Sequence, residues 1–450
     1  MFKLRLGNLK GDLFATVVTF AALAVIRLGS SLILTRLLRP EAYGVMTLLS
    51  SIGYVVELLG DIAVTVSVVR HEQGDQPDWL NTAWTLRFGR ALLNTAALFF
   101  AAPLLARLYH APELVAPLRV FALFFLFAGL ESMSFPLAIR RKNTRIIVYS
   151  ELVAAALSSS FTVLYCYYSR DFWGMVYGAL LNRLLLTTFS YLFYRDVRPR
   201  LRLQRDAARE LLRFARYAMP SSFLTLAAAQ FDKVVFLRLF DLRRLGLYGL
   251  AGSIAAPIEE LITKICQLVL YPRCAHDFRT DTVTYPRRYY THNVSLFAVI
   301  LGLPAAVGGA AQLLVGVLYQ PRYAQAGVIL QAFMVRAVLL ALMMSANEML
   351  IAAGQLQVYL IGSILRVVWL VAASLLGYRL GGFMGFVYGV ALSSLLPLLY
   401  ALWLQGRLRL LIVRYELYKV AFVLMVATLA HLASVLLMPL LPLLPLRSGR

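Results

Sequence analysis

Apolar residues run along this chain in blocks longer than a soluble helix or strand requires. A helix rising about 1.5 Å per residue needs roughly 20 apolar residues to cross a bilayer core. Blocks of that order fall at 12–34, 43–69, 82–105, 116–139, 147–168, 173–194, 215–239, 246–271, 291–318, 327–352, 357–378, 384–404 and 417–438. Each predicts a membrane-spanning helix, thirteen in all.

The pattern also repeats. A shift of 202 positions without gaps brings Arg36, Leu37, Gly44, Leu48, Ser51, Ile52, Glu57 and Leu59 onto Arg238, Leu239, Gly246, Leu250, Ser253, Ile254, Glu259 and Leu261. Internal duplication of a helical bundle marks transporters that rock one half against the other. The repeated helix pairs share a predicted orientation, so the halves are expected to be related by an axis along the membrane normal. The longest polar stretch, 195–214, separates spans one to six from the rest. From Asp206 it has helical periodicity, with Leu211, Leu212 and Phe214 apolar and Arg209, Arg213 and Arg216 basic. This predicts an amphipathic helix lying on the cytoplasmic leaflet. The expected organisation is an N-terminal lobe (1–194), a basic linker (195–214), a C-terminal lobe (215–404) and one extra span with a tail (405–450).

Composition agrees with an all-α polytopic membrane protein. Hydrophobic residues make up 60% and charged residues 15%, with a mean hydropathy of +0.73, against about 45–50% and 25% in soluble domains. So little chain lies outside the spans that no soluble catalytic domain fits. The first span is too long for a cleavable leader and reads as a retained signal anchor. The three cysteines, Cys166, Cys266 and Cys274, show neither a pairing framework nor metal-ligand spacing and are expected to be free thiols. The net charge of +22 is divided among short loops, which favours membrane topology over a nucleic-acid surface. With the N-terminus in the cytoplasm, the cytoplasmic side carries 24 Lys and Arg residues and the other side 8, as the positive-inside rule requires.

Several segments carry a resemblance. They are Thr35–Gly44, Glu57-Leu58-Leu59-Gly60-Asp61, Asn81-Thr82-Ala83-Trp84-Thr85, Asp232-Lys233, Leu245–Ala251 and Tyr271-Pro272. In order and spacing they resemble bacterial polysaccharide flippases, the Wzx-type members of the multidrug/oligosaccharidyl-lipid/polysaccharide exporter superfamily. The likeness is good over spans one to eight and rests mainly on hydropathy beyond. It implies two six-helix lobes around a central cavity in the bacterial inner membrane. It also implies transfer of an undecaprenyl-pyrophosphate-linked oligosaccharide from the cytoplasmic to the periplasmic leaflet, with polysaccharide polymerase or assembly proteins as partners. Such families usually have 12 or 14 spans. Here Pro439, Pro442 and Pro445 oppose a fourteenth.

No phosphate-binding GxxxxGK[ST] loop, HExxH or Asp-x-Asp pair is present, and the five histidines are scattered. Secondary transport without an enzymatic activity or organic cofactor remains, with a proton or sodium ion as the coupling species. Ionisable groups inside spans are costly in lipid and should face the bundle interior or a wet cavity. Arg27, Arg87, Arg90, Arg183, Arg336 and Arg366 are therefore candidate substrate-binding residues, since a guanidinium keeps its charge when desolvated and matches phosphate oxygens. Interface anchoring competes for Arg87 and Arg90, and an ion pair with Glu57 or Asp61 competes for Arg27. Glu57, Asp61, Asp232 and Glu259 are candidate coupling-ion residues, with structural pairing to arginine as the competing role. Lys233, Arg238, Lys264, Glu131, Glu151, Glu260 and Glu348 complete the intramembrane set. Close glycine spacing at Gly377, Gly381, Gly382, Gly385 and Gly389 predicts tight helix packing. Two other functions suit such a bundle: a drug/cation antiporter on the same superfamily fold, and a non-transporting membrane component of a polysaccharide assembly complex.

Overall fold

The computed structural model describes residues 22–23, 25–59, 64–109, 111–141, 145–192, 199–211, 213, 231–232, 235, 239–355 and 357–438. Among them the chain is predominantly helical, with no strand. Asp61, Lys233, Arg238, most of spans one and seven, Pro220 and the tail after 438 lie outside the described residues. The chain divides into two compact units, Met1–Leu226 with Lys233–Leu239, and Ala227–Asp232 with Phe240–Arg450.

In the first unit a helical stretch at 25–37 leads into α1 (Pro40–Leu59), α2 (Val64–Arg70), α3 (Pro77–Leu108), α4 (Val115–Phe121), α5 (Leu123–Leu130), α6 (Ser134–Arg140), α7 (Arg145–Ser169) and α8 (Trp173–Leu192). Pro77 opens α3 with its fixed φ, and Asp78 places a negative charge in the first turn. The predicted fourth span is interrupted. Helix stops at Glu131, whose backbone is extended, and restarts at Ser134. Backbone groups freed by such a break must be satisfied inside the protein. α8 does this: the Thr187 hydroxyl donates to the Phe127 carbonyl at 2.8 Å, the Tyr191 hydroxyl to Leu130 at 2.6 Å, and Ser190 Oγ accepts from Ser132 N at 2.9 Å.

The linker corrects an expectation. Its helical part, 205–211, packs on protein through the described part of its apolar face, Leu212 and Phe214 lying outside the described residues. Ala207 and Leu211 are buried in a core built by Val64, Val68, Trp79, Leu80, Trp84, Met133 and Leu137. Just before it, the N–H groups of Arg200, Arg202 and Gln204 donate to Asn81 Oδ1 (2.8 Å), Thr85 Oγ1 (3.1 Å) and Thr82 Oγ1 (3.1 Å) at the start of α3. Arg202 pairs with Asp78 at 2.5 Å, and Glu210 with His71 at 3.0 Å, whose ring stacks on Trp79. Side chains of α3 satisfy the linker backbone, so protein takes the place assigned to the leaflet.

The second unit runs α9 (Leu242–Ile265), α10 (Tyr271–Thr280), α11 (Tyr285–His292), α12 (Val294–Gly309), α13 (Ala311–Leu318), α14 (Gln325–Ala352), α15 (Gln357–Ala391), α16 (Leu395–Arg407) and α17 (Val413–Leu437). Asp241 caps α9 by accepting from Arg244 N at 2.8 Å. A π-helical turn, Cys266–Leu270, joins α9 to α10 one turn before Pro272, which lacks an N–H to continue the regular ladder. α15 holds predicted span eleven and the start of span twelve, which α16 continues. The chain reverses at Gly381 and Gly382, the latter at φ +58. The two arms then approach so closely that a Cβ on Gly385 would lie 2.0 Å from the Gly377 carbonyl oxygen. The thirteenth helix is not an appendage: Phe422 of α17 packs on Gly302, and the backbone at Ala427 closes on Gly309 of α12.

Seven helices among the described residues are long and apolar enough to cross a membrane, with Gln357–Arg407 counted once. An eighth results if α11 and α12, bent by 55°, form one span.

Candidate functional site

In the first unit, the break at Glu131 creates a charge cluster. Its side chain, 6% exposed, sits where α3, α5 and α8 meet. One carboxylate oxygen lies 3.1 Å from an Arg87 nitrogen and 3.0 Å from an Arg183 nitrogen. Gly129 permits this approach, since a Cβ there would fall 2.1 Å from that of Ala91 on α3. Arg183 also faces the Phe124 ring at 5.6 Å. One turn along α3, Arg90 donates to the Glu57 carbonyl at 3.4 Å. Two guanidiniums share one acid, so the cluster keeps an unneutralised positive charge. Arg27 is exposed and makes no ion pair with Glu57 among the described residues. The sequence brought Arg87, Arg90 and Arg183 forward as separate candidates. Glu131 joins two of them, and the signal available for it was a lone acid before Ser132, Ser134 and Pro136 in an apolar block.

The second unit has its own constellation. Arg336, near the middle of α14, donates from Nε to Glu259 Oε1 on α9 at 2.9 Å. Its guanidinium lies 4.4 Å from the centroid of Phe333. The Tyr248 hydroxyl donates to Asp232 Oδ2, and the Tyr248 ring meets Phe333 edge to face. Arg366 of α15 is within electrostatic range of Arg336, Glu259 and Asp232. Two arginines and two acids predicted independently are thus gathered in one unit. Asp232 is 5% exposed, and its Oδ1 has no hydrogen-bond partner among the described residues. The remaining intramembrane pair, Glu260 and Lys264, is an i,i+4 salt bridge at 2.8 Å.

One grouping was not among the candidates drawn from the sequence, that around Lys419. Its ammonium is enclosed by Tyr289, Tyr290 and Phe297, 4.2–5.1 Å from their centroids, and pairs with Glu416 at 2.8 Å. This cage fixes the start of α17 against α11 and α12. Such a self-occupied cation–π site is structural.

Residues 33–327 match the family described as "Polysaccharide biosynthesis protein". The chain belongs to that family. A relative, the succinoglycan biosynthesis transport protein ExoT of Rhizobium meliloti (strain 1021), is 23% identical over 240 residues, 53% of this chain. The match spans about half, 48%, of that relative's length. Among solved structures, the fold is similar to an inward-facing MATE family multidrug transporter of the MOP superfamily, with a TM-score of 0.66, 15% identity and coverage of 86% of this chain and 94% of that one. The lipid II flippase MurJ gives a TM-score of 0.66 at 11% identity, covering 95% and 99%. These likenesses carry the fold. The family member described here is therefore an all-α polytopic membrane protein.

Proposed function

We propose that this protein is a secondary transporter that moves an undecaprenyl-pyrophosphate-linked oligosaccharide from the cytoplasmic to the periplasmic leaflet of the bacterial inner membrane by alternating access, for export of a polysaccharide. The N-terminus is on the cytoplasmic side. Family membership and the printed role of the succinoglycan transport relative support polysaccharide transport. The observation that carries the choice of an anionic lipid-linked cargo is Arg336. A charged fork at mid-helix is held by one acid, Glu259, with a second cation, Arg366, nearby. A pyrophosphate offers the same acceptor geometry as the carboxylate and more charge, so it can take Glu259's place on Arg336.

In this mechanism the second-unit cluster is neutral when closed, since two acids balance two arginines. Neutralising Glu259 or Asp232 with a proton, or a sodium ion binding them, frees the arginines for the headgroup. Release of that ion restores the internal pair and expels the phosphate. Arg87, Arg90 and Arg183 supply the cationic cluster of the first unit. No covalent chemistry is required. A drug/cation antiporter is the second reading that the MATE-like fold suggests, but a cationic cargo is poorly served by buried arginines. The test is a deletion strain analysed by mass spectrometry of lipid-linked glycans. The expected result is accumulation of one undecaprenyl-pyrophosphate oligosaccharide with loss of exported polymer. Unchanged glycolipid pools with altered drug resistance would replace this reading with the antiporter.

A further inference from the structure

The one acid of α14 has no part in the mechanism above. Glu348 lies one turn before the helix end, is 3% exposed, and has a carboxylate oxygen with no hydrogen-bond partner among the described residues. Every neighbouring polar group is already engaged or uncharged. Tyr285 donates to the Met349 carbonyl at 3.0 Å, Tyr289 to Ser345 at 2.9 Å, and Gln405 Nε2 to Ala346 at 3.1 Å. Lys419, which like Glu348 lies within electrostatic range of Cys266, is bound to Glu416. The titratable groups within electrostatic range of Glu348 are the thiols of Cys266, on the π-helical turn, and Cys274, on α10, together with Tyr359 on α15. None can neutralise an ionised carboxylate, and an uncompensated buried charge costs several kcal/mol.

The same surroundings lead outward. Cys274 lies within electrostatic range of both Glu348 and Asp277 and meets the Tyr285 hydroxyl. Asp277 opens on a cleft of about 420 Å³ lined by Pro272, Arg273, His276, Asp277 and His292. There it faces His292 Nδ1 at 3.3 Å and His276 Nδ1 at 3.7 Å. A buried acid with no countercharge among the described residues and an exposed histidine–aspartate group thus share one buried thiol as a neighbour. The distortion of the helix at Cys266–Leu270 is the kind that gathers at functional positions.

We propose that Glu348 is a proton-binding site of the transport cycle, loaded and emptied through the His276–Asp277–His292 cleft. The exchange is a simple proton transfer: the Glu348 carboxylic acid loses its proton to the cleft, whose imidazoles pass it to water, and the carboxylate formed is reprotonated by the reverse path. A sodium ion is disfavoured, since it needs several oxygen ligands and, apart from Gln405 Oε1, the neighbouring oxygens named above are already in hydrogen bonds. This site rests on the transporter reading for its purpose, and its existence can be measured independently.

The test uses the full chain in nanodiscs, followed by infrared difference spectroscopy during a pH titration, with and without undecaprenyl pyrophosphate as the probe. The wild type should show a carbonyl band of a protonated buried carboxyl at neutral pH, lost in Glu348→Gln and kept in Glu259→Gln. His292→Ala should leave the band in place and slow its response to a pH jump. Adding the probe should remove the Glu348 band in the wild type, and net proton release on probe binding should be about one proton per chain lower in Glu348→Gln, an isosteric mimic of the neutral acid, than in the wild type, whatever is taken up at Glu259 or Asp232. Glu348→Asp, which keeps the titrating group, should retain a shifted band. Absence of any band that Glu348→Gln removes overturns the site. A band present but unchanged by probe that binds overturns its role in transport. A sodium-dependent band shift in place of proton release overturns the choice of ion. If the probe does not bind while the band is assigned to Glu348, the substrate reading fails and the proton site stands.

Discussion

The Glu131 cluster gives the sharpest energetic prediction. Replacing Glu131 by Gln keeps shape and removes the one negative charge between Arg87 and Arg183, at 3.1 and 3.0 Å. At an effective dielectric of about 20, each contact carries roughly 5 kcal/mol of gross attraction. Desolvation of three largely buried ions offsets most of it. What remains when one partner is removed is the cost of uncompensated buried charge, about 3–5 kcal/mol. Glu131→Gln should therefore lower the unfolding free energy by about 3 kcal/mol or more, measured by denaturant unfolding of purified protein. Combining it with Arg183→Met should recover part of the loss, because the surplus cation goes too; a double-mutant cycle reads that coupling. The freed guanidiniums should also bind inorganic pyrophosphate more tightly than the wild type. If Glu131→Gln unfolds within about 0.5 kcal/mol of wild type and couples to neither arginine, the cluster is not an ion-paired joint and the reasoning is wrong.

Three further outcomes are expected. Replacing Asn81 and Thr82 by Ala, or Leu211 by Asp, should release the linker from α3 and speed tryptic cleavage between Arg200 and Arg209; unchanged cleavage would mean the contacts with Asn81 and Thr82 do not hold it. Gly385→Ala places a methyl group 2.0 Å from the Gly377 carbonyl oxygen. It should cost about 1–3 kcal/mol or more by overpacking, read as loss of monodisperse protein on size-exclusion chromatography. At the turn before α11, the Thr284 hydroxyl, then the Thr284 and Val283 N–H groups, hold the Asp281 carboxyl below its ordinary range. That contribution is complete above the unfolded-state pKa and disappears as pH falls through the lower folded value, so the melting difference between wild type and Asp281→Ala should shrink in acid.

The long apolar blocks made several spans legible: 327–352 was expected where α14 runs Gln325–Ala352, and 417–438 where α17 runs Val413–Leu437. Hydropathy could not show the interruption at Glu131, because its compensation comes from Thr187, Ser190 and Tyr191 on α8, far along the chain. The same limit applies to the linker. Its amphipathic pattern fits lipid and protein equally well, and only the hydroxyls and amide of α3 choose between them. For the candidate site, the sequence supplied the inventory of intramembrane charges, since each is costly and conspicuous in lipid. Partners were not legible: Arg336 and Glu259 are 77 residues apart, and nothing local links them. Nor was the aromatic cage of Lys419, whose rings come from Tyr289, Tyr290 and Phe297, far along the chain.

The most direct test of the central claim is flipping of a fluorescent undecaprenyl-pyrophosphate oligosaccharide in proteoliposomes by the wild type and by Arg336 and Arg366 variants. The wild type should move the label between leaflets. Arg336→Ala and Arg366→Ala should abolish movement at normal folding, and Lys at either position should restore only part, supplying charge without the fork. Wild-type rates in both folded Ala variants would contradict the arginine headgroup site, and absence of flipping by the wild type, at any proton or sodium gradient, would contradict the transporter itself.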